Sequence, residues 1–183
     1  MGGEKPVIER KDNPPDGAQE IWLAGGCFWG LEKYFSKVRG VLMTSVGYAN
    51  GTALSPTYRQ VCTGATGSAE TVHIIYNPGE LPLARLLSLY MKAINPTSLN
   101  RQGPDVGTQY RTGIYYIEDD DLPAINAEIK RVDAVSNEPV VVEALPLSNY
   151  YLAEEEHQEY LKKNPSGYCH ISNRLCTEAW ESQ

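Results

Sequence analysis

Two periodicities of apolar residues take turns along this chain, and the alternation restricts it to a mixture of helix and sheet. Gln19–Ala24 (QEIWLA) reads as a short apolar strand. Phe28, Leu31, Phe35 and Val38 then recur at helical spacing, with Gly40 as a stop. Val41–Ala49 is strand-like and ends at the Asn50-Gly51 turn signal. Residues 52–68 read as a loop with a helical turn around Tyr58, and residues 70–76 as a strand. Leu83, Leu86, Leu87, Tyr90 and Ile94 mark a second helix, with Pro82 near its first turn. The stretch NPTSLNRQGPDVGTQ has no periodicity, and loops of that length inside compact domains are often functional. A strand over 110–117, a helix through Leu122, Ile125, Ile129 and Val132, a strand over 138–145 and a helix over 149–163 complete the pattern. The order β-α-β-β-α-β, then α-β-α, predicts an α+β fold: a two-layer sandwich with a ferredoxin-like β-α-β-β-α-β core.

Three regions follow from this. Residues 1–19 are polar, carry three prolines and read as a flexible leader. Residues 20–163 form the catalytic α+β domain, and residues 164–183 an irregular tail that bears two cysteines. With 183 residues, 42 % of them hydrophobic, the chain has enough apolar side chain for one packed core. A net charge of −7 argues against nucleic acid as a partner, because phosphate backbones call for a basic patch. No apolar run reaches membrane-spanning length, and the N-terminus has no apolar signal region, so a cytoplasmic location is expected.

The four cysteines, Cys27, Cys62, Cys169 and Cys176, form no CxxC pair and no zinc spacing, so no metal is expected. Cys27 lies in GGCFWG, between a strand and a helix start. Unpaired backbone N–H groups and the helix dipole there stabilise negative charge and predict a lowered thiol pKa. Phe28 and Trp29 add apolar surface that fits a methyl or thioether group. The alternative is a buried cysteine that packs as a small hydrophobe.

In ETVHIIY, Glu70 shares a strand face with Val72, Ile74 and Tyr76, while His73 points the other way. A carboxyl among apolar groups has a raised pKa and can serve as a proton donor; the alternative is a strand-end carboxylate that reaches water. Cys169 and Cys176, in GYCHISNRLC, suggest a thiol–disulfide relay or else two unrelated thiols. Cys62 reads as a packing residue.

Several motifs, GCFWG with Glu32 after it, PTYRQVCTGATGSAE, NRQGPDVGTQYRTGIYY and HQEYLKKNPSGYC, resemble in order those of the methionine sulfoxide reductase A family, from about residue 20 to 176. The resemblance implies an oxidoreductase that reduces methionine S-sulfoxide, free or in proteins, as repair under oxidative stress. It implies that Cys27 is the nucleophile and that Phe28 and Trp29 hold the S-methyl group. Glu70 would protonate the sulfoxide oxygen, with Tyr58 and Tyr110 bonding to it and Asp105 supporting the site. Cys169 would resolve the oxidised Cys27, and Cys176 would pass the disulfide to thioredoxin, with no bound cofactor. The chain departs from the family where Ile94-Asn95-Pro96 replaces His-Asp-Pro and where Glu156, rather than an aromatic residue, precedes His157-Gln158. Two other readings of the same residues are a thiol peroxidase and a non-enzymatic module that binds methionine-containing peptides.

Overall fold

A computed structural model of the chain describes residues 6–182. Its nine strands are β1 (Val7–Ile8), β2 (Gln19–Ala24), β3 (Val41–Ala49), β4 (Ala69–Tyr76), β5 (Arg101–Gln102), β6 (Asp105–Val106), β7 (Gly113–Tyr116), β8 (Glu143–Pro146) and β9 (Asn149–Leu152). The α-helices are α1 (Phe28–Phe35), α2 (Tyr58–Cys62), α3 (Leu83–Ala93), α4 (Leu122–Asp133), α5 (Tyr160–Lys163) and α6 (Asn173–Glu181). Seven strands form one curled mixed sheet in the order β1-β9-β3-β4-β2-β7-β8, and β5 and β6 make a separate hairpin. β2, β3 and β4 pair antiparallel; β1 with β9 and β7 with β8 are the parallel edges.

Alternation along the strands divides the core. Ile21, Leu23, Val46, Tyr48, Val72 and Ile74 face α1, α3, α4 and α6 in the main cluster. Trp22, Ala24, Ala69, Tyr115 and Tyr150 face the other way into a smaller one. There His73 stacks on Trp22 with centroids 4.4 Å apart and lies 2.8 Å from Glu20 Oε2. Burial opposes the Glu20 charge, but the hydrogen bonds from His73 and Arg10 prevail and hold its carboxyl at about 2.

The sequence-based boundaries need four corrections. Part of the expected leader is anchored: β1 pairs with β9, and Arg10 forks onto Glu20 at 2.8 and 2.9 Å. Residues 1–5 of that leader lie outside the described residues. The expected helix over 149–163 is instead β9, a 3-10 turn over Glu155–His157 and the single turn of α5, because Glu159 sits at φ 50° and interrupts the helical path. The strand expected over 138–145 is confined to β8, Glu143–Pro146. The tail is not irregular throughout. Ser172 caps α6 by accepting the Leu175 N–H at 3.2 Å, and Cys176 and Ala179 enter the main core. Trp180 fastens this helix to α1: its Nε1–H donates to the Tyr34 carbonyl at 2.8 Å, and Lys37 Nζ lies 4.6 Å above its ring.

Candidate active site

Antiparallel pairing brings the site together. The C-terminal end of β2 and the N-terminal end of β4 lie side by side, with Ala24 opposite Thr71, so Gly25-Gly26-Cys27 emerges next to Glu70. Glu70 is also paired with Tyr48 at the end of β3. Gly26 takes φ 78°, where a side chain would be strained and would strike Gln102 at 2.7 Å. That turn points the chain into α1 with Cys27 as its N-cap residue.

Cys27 and Glu70 are both buried, at 8 % and 1 % exposure. Glu70 Oε2 accepts the Phe28 N–H at 3.0 Å, while buried Oε1 has no partner. Burial outweighs that hydrogen bond and lifts the Glu70 carboxyl to about 8, so it is mostly protonated at neutral pH. That is the protonation state a proton donor needs.

The expectation for Cys27 is corrected. The helix N-terminus does offer backbone N–H groups of Trp29 and Gly30, but burial, reinforced by the nearby Glu70 charge, raises the thiol well above its usual value. In the substrate-free protein Cys27 is therefore a thiol.

Tyr58, Tyr110, Asp105 and Trp29 form a half-buried rim over this floor. Tyr58 begins α2, whose first turn is closed by a capping box between Thr57 and Gln60. Tyr110 ends a 3-10 turn, where Arg111 braces it by donating to the carbonyls of Thr108 and Gly67, both at 2.9 Å. Burial and the Glu70 charge raise both phenols, so each keeps its hydroxyl proton to donate. Asp105 Oδ2 accepts from the Tyr168 hydroxyl at 2.9 Å and so ties β6 to the tail.

Sequence reading missed the wall behind these groups. His157 Nδ1 accepts the Trp29 Nε1–H at 3.2 Å, and its ring lies 4.4 Å from Tyr58 and 5.7 Å from Phe28. Tyr160 stacks on Trp29 at 3.8 Å. Glu154 accepts from the Tyr48 hydroxyl and from the Tyr58 N–H, at 2.9 and 3.1 Å. The HQ pair of residues 157 and 158 was visible as a family motif, but no periodicity assigned it a place. Glu154, Glu156 and His157 bring ligand atoms within 4.8 Å of one another. The Trp29 N–H, however, occupies the Nδ1 lone pair and leaves the proton on Nε2, so this imidazole has no free lone pair for a metal.

The remaining cysteines are dispersed. Cys169 Sγ lies over Gly30, 3.3 Å from where a side chain there would begin. Cys176 is fully buried in α6, away from solvent. Cys62 is exposed, which overturns its reading as a packing residue; its thiol instead adjoins the Tyr58 hydroxyl.

The family model described as peptide methionine sulfoxide reductase matches residues 19–183. The peptide methionine sulfoxide reductase MsrA of Lachnoclostridium phytofermentans is 56 % identical over 151 residues, covering 82 % of this chain and 91 % of that protein. Mxr1 of Saccharomyces cerevisiae in its reduced form superimposes with a TM-score of 0.85 at 35 % identity, over 92 % of this chain and 98 % of that one. Mxr1 in complex with Trx2 shares the fold with a TM-score of 0.60 at 23 % identity, over 84 % of this chain and 92 % of that one. Among the described residues no helix is long and apolar enough to cross a membrane. A match that runs from β2 to the last helix, joined to relatives of this identity, makes the chain a member of the peptide methionine sulfoxide reductase A family, oxidoreductases that reduce methionine sulfoxide.

Proposed function

We propose that this protein reduces the S epimer of methionine sulfoxide, free or in a polypeptide, through a sulfenic acid on Cys27. The substrate's S-methyl group rests on Phe28 and Trp29. Its oxygen faces Glu70, Tyr58 and Tyr110. Because Oε2 of Glu70 is engaged by the Phe28 N–H, the carboxyl proton resides on Oε1 and is free to be given to that oxygen. As the oxygen is protonated, the substrate sulfur becomes electrophilic and Cys27 attacks it. That attack forms an S–S bond; the hydroxyl then passes to the Cys27 sulfur, so that the sulfoxide S–O bond and the new S–S bond break, an S–O bond to Cys27 forms, and the thioether leaves. The thiol proton of Cys27 replaces the one Glu70 gave, so Cys27–SH and sulfoxide become Cys27–SOH and methionine.

Cys169 then condenses with Cys27 to a disulfide, and exchange with Cys176 passes the disulfide to thioredoxin. That last transfer requires α6 to leave its seat, because Cys176 is enclosed there. The same reading takes β2-α1-β3-β4-α3-β7 as a ferredoxin-like unit, supported by the antiparallel neighbours β3-β4-β2-β7 in the sheet.

The observation that carries the proposal is the buried Glu70 carboxyl beside Cys27, with one oxygen held by the Phe28 N–H and one free. Thioredoxin-coupled assays on the separated epimers test it. Turnover of the S epimer alone is expected; loss of the S epimer at no more than the uncatalysed rate overturns it.

A further inference from the structure

His170 has no task in the scheme above, yet its ring is enclosed at the centre of it. Both ring nitrogens are buried and neither makes a well-aligned hydrogen bond, although the Gly25 carbonyl lies near enough to favour a proton on the ring. Such groups are rare in folded proteins because leaving one unmet costs about 1–3 kcal/mol. The ring is lodged against the two glycines that bracket the nucleophile. A side chain on Gly26 would begin 2.9 Å from Nε2, and one on Gly30 would begin 2.9 Å from Nδ1. Cys169 Sγ, from the preceding residue, converges on that same point over Gly30 at 3.3 Å. Imidazole, resolving thiol and the first turn of the nucleophile's helix therefore meet in one place.

The electrostatics keep this imidazole neutral. Burial lowers its basicity, against the Asp105 charge from β6 and the Gly25 carbonyl. The thiols of Cys27 and Cys169 are the other titratable groups at this junction. Cys169 meanwhile donates its S–H to the Ile171 carbonyl at 3.2 Å. An amide oxygen is a far weaker base than imidazole and cannot remove that proton.

We propose that His170 is the proton carrier of the disulfide-forming step, a role that rests on the sulfenic acid reading above. As Cys169 attacks, His170 takes the thiol proton and returns it to the hydroxide that leaves Cys27. Cys27–SOH and Cys169–SH become the Cys27–Cys169 disulfide and one water. The S–O bond breaks and the S–S bond forms; the sulfenic sulfur is reduced as the Cys169 sulfur is oxidised, so no outside oxidant is needed. A thiol attacks only as its thiolate, so this step needs a base, and a positioned base typically contributes at least ~100-fold.

The test is a quenched single turnover of the full chain with one equivalent of methionine S-sulfoxide. It follows methionine release and disulfide formation separately. In His170→Gln, methionine appears as a full burst, and its amplitude certifies the fold. Disulfide formation slows about a hundredfold, and Cys27 sulfenic acid becomes trappable with dimedone. Added imidazole restores part of the rate. His170→Asn, smaller and more easily accommodated, gives the same split should the glutamine variant lack the burst. An undiminished disulfide rate in either variant with a full burst overturns the proposal, as does a slowed rate that imidazole leaves unchanged. Absence of the methionine burst in the unmodified protein refutes the sulfenic acid reading instead.

Discussion

Glu70 has one oxygen held and one oxygen free, and its proton belongs to the free one. Burial raises its carboxyl to about 8, so on the proposed mechanism the proton-donating form is lost as pH rises through that value. Activity should therefore fall on the alkaline side, with a limb near pH 8. Glu70→Gln should lower kcat by about 100-fold or more and remove that limb, read from pH–rate profiles of the two proteins. This residue was legible in the sequence: alternation alone put it on the apolar face of β4, away from His73. The state of Cys27 was not. Its place at a helix N-terminus was readable, but the competing term is burial. Burial depends on which distant segments close over the thiol, here the 3-10 turn at Tyr110, the β5–β6 hairpin and the tail. No local pattern encodes that. His157 was hidden for a related reason: its role comes from touching Trp29, Tyr58 and Phe28, residues far from it in the chain.

At the scale of elements, one buried side chain extends a strand. Past the end of β9, the Gln158 amide accepts the Val46 N–H at 2.9 Å and donates to the Val46 and Ala153 carbonyls at 2.8 and 3.0 Å. It continues the ladder along β3 and holds the adjoining His157 in the site. Gln158→Ala would orphan two buried backbone groups, the Val46 N–H and the Ala153 carbonyl, and should cost about 2–4 kcal/mol in urea unfolding, with a rise in KM as the wall behind Trp29 loosens. The elements with strong periodicity, β2, α1, β3, β4, α3 and α4, lie close to where the sequence put them. Those that failed depend on non-local partners: β1 exists because β9 is beside it, and α6 has only Leu175, Cys176, Ala179 and Trp180 on its inner side. The tail's cysteines nevertheless separate by element. Cys169→Ser should complete about one turnover and stall with Cys27 as sulfenic acid. Cys176→Ser should keep its activity with dithiothreitol and lose most of it with thioredoxin. Equal rates with both reductants would remove α6 from the relay.

For the molecule as a whole, Glu32 is a hidden determinant of stability. It lies on α1 at 3 % exposure, accepting from the Thr44 hydroxyl at 3.1 Å and from the Glu159 N–H at 2.9 Å. It thereby joins α1 to β3 and to the segment that follows Gln158. Burial, opposed by these two hydrogen bonds, raises its carboxyl to about 7. The folded protein then binds this proton more tightly than the unfolded chain does. The group's contribution is complete below its unfolded value of about 4.3 and is lost as pH climbs through about 7. Relative to Glu32→Gln, the unmodified protein should therefore lose stability between pH 5 and 8, on the order of a few kcal/mol, in parallel urea titrations. The strand order of the sheet, in contrast to the succession of its elements, was beyond sequence reading, since hydrogen-bonded neighbours such as β2 and β7 are set by long-range pairing. One attachment in the assembled fold carries a further consequence. Trp180 is the bolt between α6 and Tyr34, and on the proposed relay α6 has to be released before Cys176 can be discharged. The indole would then pass from a carbonyl and a lysine into water each time the enzyme is spent, so its emission should redden on oxidation and recover on reduction: a built-in optical gauge of how much repair capacity remains.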